Sequence, residues 1–227
     1  MKYKDYLKAT EQLLRQSQRE LFPYLATVSS RQFVVYEGVF SPKYFKETEI
    51  FAKHLSIHPG EHLLEIGSGT GAIAVTKALE GAGRVVATDI SHEAVKNIRD
   101  NAMRHNVLSL VDVREGDLFS PIGQDEKFDV VFWNTPFGKI QRAPYSVLEK
   151  AVFDRSYRHT MYFIFQAANF LKQNGRIVLG FSSTLGQLKW IKNFCLEAEL
   201  SLSLVHQEKS EEQYEVSFEL FEARPNK

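Results

Sequence analysis

The stretch His62-Leu-Leu-Glu-Ile-Gly-Ser-Gly-Thr-Gly71, followed directly by Ala-Ile-Ala-Val75, decides the fold. A short apolar run stops at three glycines in alternate positions, and apolar residues at helical spacing then resume, so the segment reads as buried strand, tight loop and helix. Gly67, Gly69 and Gly71 let the backbone turn sharply and approach a ligand with no Cβ in the way. Ser68 lies inside the same turn, and the helix that follows points its free amides at whatever the loop holds.

Outward from this unit the chain alternates. "RVVATD" (84–89) is a strand, 91–105 a helix opened by Ser91 with Glu93 in its first turn, and "LVDVREGD" (110–117) a strand. "FDVVFW" (128–133) is a strand, a helix runs near 156–173, "GRIVLGF" (175–181) is a strand, and a helix runs near 184–198. Two strands close the chain, "LSLSLVHQ" (200–207) and "YEVSFELFEA" (214–223). Strands separated by helices imply parallel crossovers, so the fold class is α/β, a Rossmann-like doubly wound seven-stranded sheet. With no helix between them, the last two strands should pair antiparallel, giving an antiparallel C-terminal edge.

Upstream, residues 3–22 carry Leu7, Leu13, Leu14 and Leu21 among charges at near-helical spacing, and Pro23 ends the pattern. "QFVVYEGVF" (32–40) reads as a strand or hairpin arm, and 41–56 as a helix with Ser41 at its cap before Pro42. We therefore divide the chain into residues 1–40, a helix and short strand serving as cap or lid, and residues 41–227, the main α/β domain.

The glycine turn also satisfies a dinucleotide fingerprint, Gly67-x-Gly69-x-x-Ala72, with Asp89 at the next strand end where a ribose-binding acid belongs. Two acids favour S-adenosylmethionine over a nicotinamide cofactor. Glu65, two residues before the first glycine, would repel a pyrophosphate but welcome the cationic aminopropyl end of a sulfonium compound. Asp117, at the end of the third strand, can accept from an adenine amino group, as Asp89 can from both ribose hydroxyls.

With these residues in place the chain resembles the class I S-adenosylmethionine-dependent methyltransferases. "EIGSGTGAIAV", "ATDISHEAVKNIRDNAMRHNV", "VREGDLFSPI" and "FDVVFWNTPF" follow in the order seen in the release-factor glutamine methyltransferases and related amino-methylating enzymes, over about residues 60–140. "SPKYFKETE" upstream is similar to a Glu-Thr-Glu segment of the glutamine-modifying group. The resemblance implies cofactor contacts at Glu65, Gly67, Ser68, Gly69, Gly71, Asp89, Ile90, Asp117, Leu118 and Asn134.

Asn134-Thr-Pro-Phe137 resembles the Asn-Pro-Pro-Tyr/Phe motif of enzymes that methylate an NH2 on a planar system. Such a nitrogen is a poor nucleophile because its lone pair is delocalised. The Asn134 side-chain oxygen and the Thr135 or Pro136 carbonyl can hold both N–H bonds and aim the lone pair at the methyl carbon. Phe137 can stack on the acceptor. Thr135 stands where the family has its first proline, which should loosen the backbone. The reaction expected is N-methylation of a planar amino group, first a protein glutamine side chain. An RNA or DNA base and a small molecule are the alternatives, and a nicotinamide-dependent oxidoreductase or a non-catalytic binding module lies outside the class.

Composition narrows the partners. Lys plus Arg (28) equal Asp plus Glu (28), which removes the simplest argument for a bulk nucleic-acid or membrane binder. One cysteine, Cys195, cannot form an internal disulfide and reads as a small buried residue. No window approaches the roughly 18 apolar residues of a membrane span, and the N-terminus is too charged for a signal peptide, so a cytoplasmic location is expected. His54, His58, His62, His92, His105 and His206 show no ligand spacing, so no metal site is expected. Arg142, Arg155, Arg158 and His159 follow the Asn-Thr-Pro-Phe motif and can contact an acidic or phosphate-bearing partner. Trp133 and Trp190 read as core.

Overall fold

The computed structural model describes residues 3–210 and 215–226. In chain order the elements are α1 (Tyr3–Ser17), β1 (Tyr24–Val28), β2 (Arg31–Val35), α2 (Glu47–His54), β3 (His62–Ile66), α3 (Ala72–Leu79), β4 (Arg84–Asp89) and α4 (His92–Arg104). There follow β5 (Val111–Glu115), β6 (Phe128–Asn134), β7 (Gly138–Ile140), β8 (Phe153–Arg155), α5 (Arg158–Ala167), β9 (Leu171–Phe181), α6 (Leu188–Glu197), β10 (Leu200–Ser210) and β11 (Val216–Pro225). Tyr214, the first residue of the expected last strand, lies outside the described residues.

The central sheet has seven strands in the order β10-β11-β9-β6-β3-β4-β5. From β3 the chain winds outward through β4 and β5, then returns to the other side of β3 with β6 and β9, all parallel. The reversal puts a switch point between β3 and β6, where open sheets of this kind leave a crevice at the carboxyl ends of their strands. The closing pair is antiparallel, as its short connection demands. Its finer order is that β11 inserts between β9 and β10, antiparallel to both, leaving β10 outermost.

β6 shows why the centre holds. Phe128, Val130, Val131 and Phe132 are fully buried, because helices cover both faces of a parallel sheet and the usual polar alternation disappears. Ser91 caps α4 as expected, its hydroxyl accepting from the Ala94 N–H at 3.3 Å.

The N-terminal part departs more from the sequence reading. β1 and β2 form an antiparallel hairpin whose two-residue turn, Ser29-Ser30, has both residues at positive φ. Asn-Gly or Gly-Gly normally marks such a turn, and its absence hid β1. β2 and the residue after it are tied to the domain by two buried asparagines one turn apart on α4. Asn101 Oδ1 accepts the Val34 N–H at 2.8 Å, Asn97 Oδ1 accepts the Tyr36 N–H at 3.0 Å, and both amide nitrogens donate to the Val34 carbonyl at 2.8 Å. The expected helix over 41–56 shortens to α2, because residues 41–45 form a turn in which Ser41 accepts from Tyr44 and Phe45 N–H. The expected helix near 156–173 begins only at Arg158, since Ser156 and Tyr157 have positive φ, and it gives way to β9 at Leu171. α1 packs through Leu7, Leu13 and Leu14 onto Phe40, Phe45 and Phe153 in a small second core. Among the described residues, no helix is long and apolar enough to cross a membrane.

Candidate active site

The crevice at the switch point is lined by Gly67, Gly69, Asp89, Ile90, Asp117, Leu118, Asn134 and Pro136, eight of the positions singled out in the sequence. Three consecutive strand ends converge there, from β3, β4 and β5, with β6 supplying Asn134.

Asp89 is held from two sides. Its Oδ2 accepts the Gly69 N–H and its Oδ1 the Ser91 N–H, both at 2.9 Å, which fixes the carboxylate between the glycine loop and the start of α4. Burial lifts its carboxyl above the ordinary aspartate value, against backbone N–H groups that pull it down. Gly67 and Gly69 have φ of 62° and 56°, a region costly for any side chain. A Cβ on Gly67 would stand 3.1 Å from Trp133 Nε1, whereas one on Gly69 would meet nothing closer than 3.8 Å. Gly69 is therefore required by its backbone conformation rather than by crowding, since a Cβ would only touch Phe40 at ordinary contact distance. Trp133 packs on Phe163 and also lines this wall, so it serves both core and site.

Four expected site residues do not line the crevice. Gly71 is a packing glycine, where a Cβ would meet Ile98 of α4 at 3.0 Å. Ser68 is buried within the loop, its hydroxyl 3.4 Å from the Glu65 carbonyl. Glu65 is 2% exposed and lies behind the loop against the start of α3. Desolvation pushes its carboxyl up to about 8, so it is a neutral acid near neutral pH, with Oε2 lacking a hydrogen-bond partner. The carboxyl expected at the open tip of β3 is instead buried beneath the loop.

Phe137, expected at the reaction centre, does not line the crevice. Its ring packs against Phe181 and Phe218, at centroid distances of 5.8 and 6.1 Å, and faces a neighbouring apolar cavity beneath α1. The fully buried Tyr157 fixes this orientation by donating to the Phe137 carbonyl at 2.6 Å. Phe40, in the loop Gly38–Phe40 after β2, lines the crevice instead, together with Trp133 and Phe153. No sequence motif marked it; the asparagine ties between β2 and α4 deliver it there.

Thr135 also departs from expectation. Its N–H and its hydroxyl both donate to the Gly180 carbonyl, at 3.1 and 2.8 Å, so the position is pinned rather than loose. A proline would lack that N–H. Asn134 beside it lines the crevice with Oδ1 buried and without a hydrogen-bond partner.

Beyond the motif, the segment 138–159 closes the other wall through Val147, Leu148, Lys150, Phe153, Asp154 and His159. Asp154 is 1% exposed and accepts from the Thr160 N–H and hydroxyl, both at 2.9 Å. Its other oxygen lies 3.3 Å from His159 Nδ1, which raises the imidazole above its ordinary value. Arg142 is committed elsewhere, paired with Glu149 at 2.8 Å and laid over the Tyr145 ring. Lys150, Arg155, Arg158 and His159 line a side cleft that shares Asp117 and Leu118 with the crevice. Trp190 sits under the Lys139 ammonium, 3.7 Å away. Cys195 is buried, its thiol pushed up to about 12 by desolvation.

A seven-stranded sheet with its C-terminal strand reversed, a glycine turn after the first parallel strand and acids at the next two strand ends define a class I S-adenosylmethionine-dependent methyltransferase. The model of the methyltransferase small domain family matches residues 30–216, and the chain belongs to that family. It is 35% identical over 127 residues to the bifunctional methyltransferase of Rickettsia felis, a match covering 52% of this chain and 24% of that protein. It is 32% identical over 155 residues to a Methanocaldococcus jannaschii protein described as "Putative protein N5-glutamine methyltransferase", covering 64% of this chain and 74% of that one. The chain thus spans about a quarter of the length of several curated relatives it matches. Among solved structures, the ribosomal protein L11 methylase of Lactobacillus delbrueckii subsp. bulgaricus aligns with TM-score 0.59 at 18% identity, covering 83% of this chain and 82% of that one. A methyltransferase structure holding S-adenosylhomocysteine aligns with TM-score 0.65 at 13% identity, covering 90% of this chain and 57% of that one.

The cofactor is S-adenosylmethionine, and the residues present suit it. The bare backbone of Gly69, the fixed carboxylate of Asp89 and the exposed Asp117 offer a close approach and acceptors of the kind that a ribose and an adenine amino group require.

Proposed function

We propose that this methyltransferase acts on an NH2 attached to a planar group, and that the acceptor is a protein glutamine side chain. The observation that carries the reading is Asn134 Oδ1, a buried acceptor without a partner on the wall of the cofactor crevice. An unpaired buried acceptor costs about 1–3 kcal/mol, a cost recovered when an N–H fills the place. The bound cofactor supplies an electrophilic methyl group on a sulfonium centre.

Asn134 and a main-chain carbonyl of Thr135 or Pro136 take the two N–H bonds of the acceptor and turn its nitrogen lone pair toward the cofactor. Thr135, doubly bonded to Gly180, keeps this peptide in place. Phe40 supplies the apolar wall that Phe137 does not, while Asp89 and Asp117 bind the ribose and adenine. Glu65 supports the loop from behind as a neutral acid. Residues 3–40 act as a cap, with α1 covering the outer side of the Asn-Thr-Pro-Phe segment. The glutamine assignment is supported by the motif and by the Methanocaldococcus relative's description.

The test is transfer of tritiated methyl from S-adenosylmethionine into fractionated cell extract. Label in protein, as N-methylglutamine after hydrolysis-free peptide analysis, is expected. Asn134→Ala should reduce transfer about 100-fold or more, the range for loss of a group aimed at developing charge, while S-adenosylhomocysteine binding persists. Transfer unchanged in that variant would remove Asn134 from the reaction.

A nucleic-acid base is the second reading, favoured by the cationic side cleft of Lys150, Arg155 and Arg158 beside the crevice. It requires label in RNA or DNA and binding that weakens steeply with salt.

A further inference from the structure

We propose that His54, His206 and Glu208 form a divalent-metal site that clamps the end of α2 to the edge strand β10, with zinc as the ion that fits best. His54 is far in sequence from the other two, and none of the three lines the crevice. His54 is the last residue of α2, whereas His206 and Glu208 lie two apart on β10 and so share a face of the strand. The pairing of β10 with β11 shifts register between Leu204 and His206, and bulges of this kind re-aim the side chains that follow.

The two imidazoles stack with centroids 3.6 Å apart and planes 12° from parallel. Each buried Nε2 lacks a hydrogen-bond partner. Glu208 Oε2 stands 3.3 Å from His54 Nε2 and 3.6 Å from His206 Nε2, without the alignment of a hydrogen bond. Among the described residues this is the cluster of metal-ligating groups, its three donor atoms all within 4.8 Å of one another.

Those separations match a metal's needs. Zinc bonds of about 2.0–2.2 Å to nitrogen and oxygen make the edge of a tetrahedron about 3.4 Å, between the two carboxylate–imidazole separations. Two imidazoles and one carboxylate select a borderline ion such as zinc over magnesium or calcium, which prefer all-oxygen shells. The half-exposed Glu208 leaves a fourth position to water. The in-plane lone pairs of stacked rings converge only when the rings splay, so binding opens the stack while joining α2 to the sheet edge.

The test uses chelator-stripped full-length protein titrated with Zn2+ alone against a chromophoric chelator, and with Co2+ as a spectroscopic substitute. One equivalent of Zn2+ should bind, and Co2+ should show the strong visible bands of a four-coordinate site. His206→Gln should weaken Zn2+ binding at least about 10-fold. Glu208→Gln, at a side chain 45% exposed, should weaken it too, with an unchanged metal-free melting temperature as the check on folding. Absence of stoichiometric binding, or wild-type affinity in both variants, overturns the site. S-adenosylhomocysteine binding measured on the same samples is expected to be unaffected, so the result is independent of the methyltransferase reading.

Discussion

Glu65→Gln offers a quantitative test of how the glycine loop is supported. Glu65 is buried behind the loop with its carboxyl raised from 4.5 to about 8, desolvation being the largest cause. A raised carboxyl pKa means that the folded state holds the proton more tightly than the unfolded chain. Stability from this group is complete below pH 4.5 and is lost progressively as pH rises toward 8. At about 1.4 kcal/mol per pKa unit, the loss between pH 6 and pH 8 comes to roughly 2 kcal/mol. For a chain of this length that corresponds to a fall in melting temperature of roughly 4–8 °C. Gln is nearly isosteric and does not titrate, so the difference between wild type and variant isolates Glu65 from other raised acids such as Glu47, which sits at about 7. Thermal melts from pH 5 to 9 should show the variant gaining on wild type across this window. Parallel curves would refute the assignment of a buried neutral acid beneath the loop.

Asp89→Asn should weaken S-adenosylhomocysteine binding by roughly 1.5–3 kcal/mol, about 10- to 150-fold by isothermal calorimetry, because charge-assisted bonds to the ribose are lost; unchanged affinity would remove Asp89 from the ribose site. Thr135→Val deletes only the hydroxyl bond to Gly180 and should cost about 1 kcal/mol in urea melts, whereas Thr135→Pro deletes the N–H bond as well and should cost more. A proline variant as stable as wild type would show that this position needs neither donor.

The parallel core was legible because its signals are local. The apolar run of β3 and the glycine turn after it sit within fourteen consecutive residues of sequence, His62 to Val75. The same is true of the Ser91 cap and of Asp89 and Asp117 at their strand ends. The misses share a cause. Ser29-Ser30 adopts a turn that its residue types do not advertise, and Phe40 enters the crevice only because Asn97 and Asn101, distant in sequence, hold β2. Glu65 and Phe137 were given the right strand ends but the wrong surroundings, since the side toward which a side chain turns depends on what packs over it.

The sequence alone therefore determined the succession of the central-sheet strands and the helices between them, the glycine turn after β3 and the Asn-Thr-Pro-Phe turn after β6. Periodicity, turn chemistry and motif spacing act over a few residues and need no partner to be read. Tertiary structure decided which of those residues face the crevice, that Thr135 is anchored by Gly180, and that His54 meets His206 and Glu208. Each of these depends on contacts between segments far apart in the chain, and burial, not spacing, sets whether a carboxyl such as Glu65 is charged.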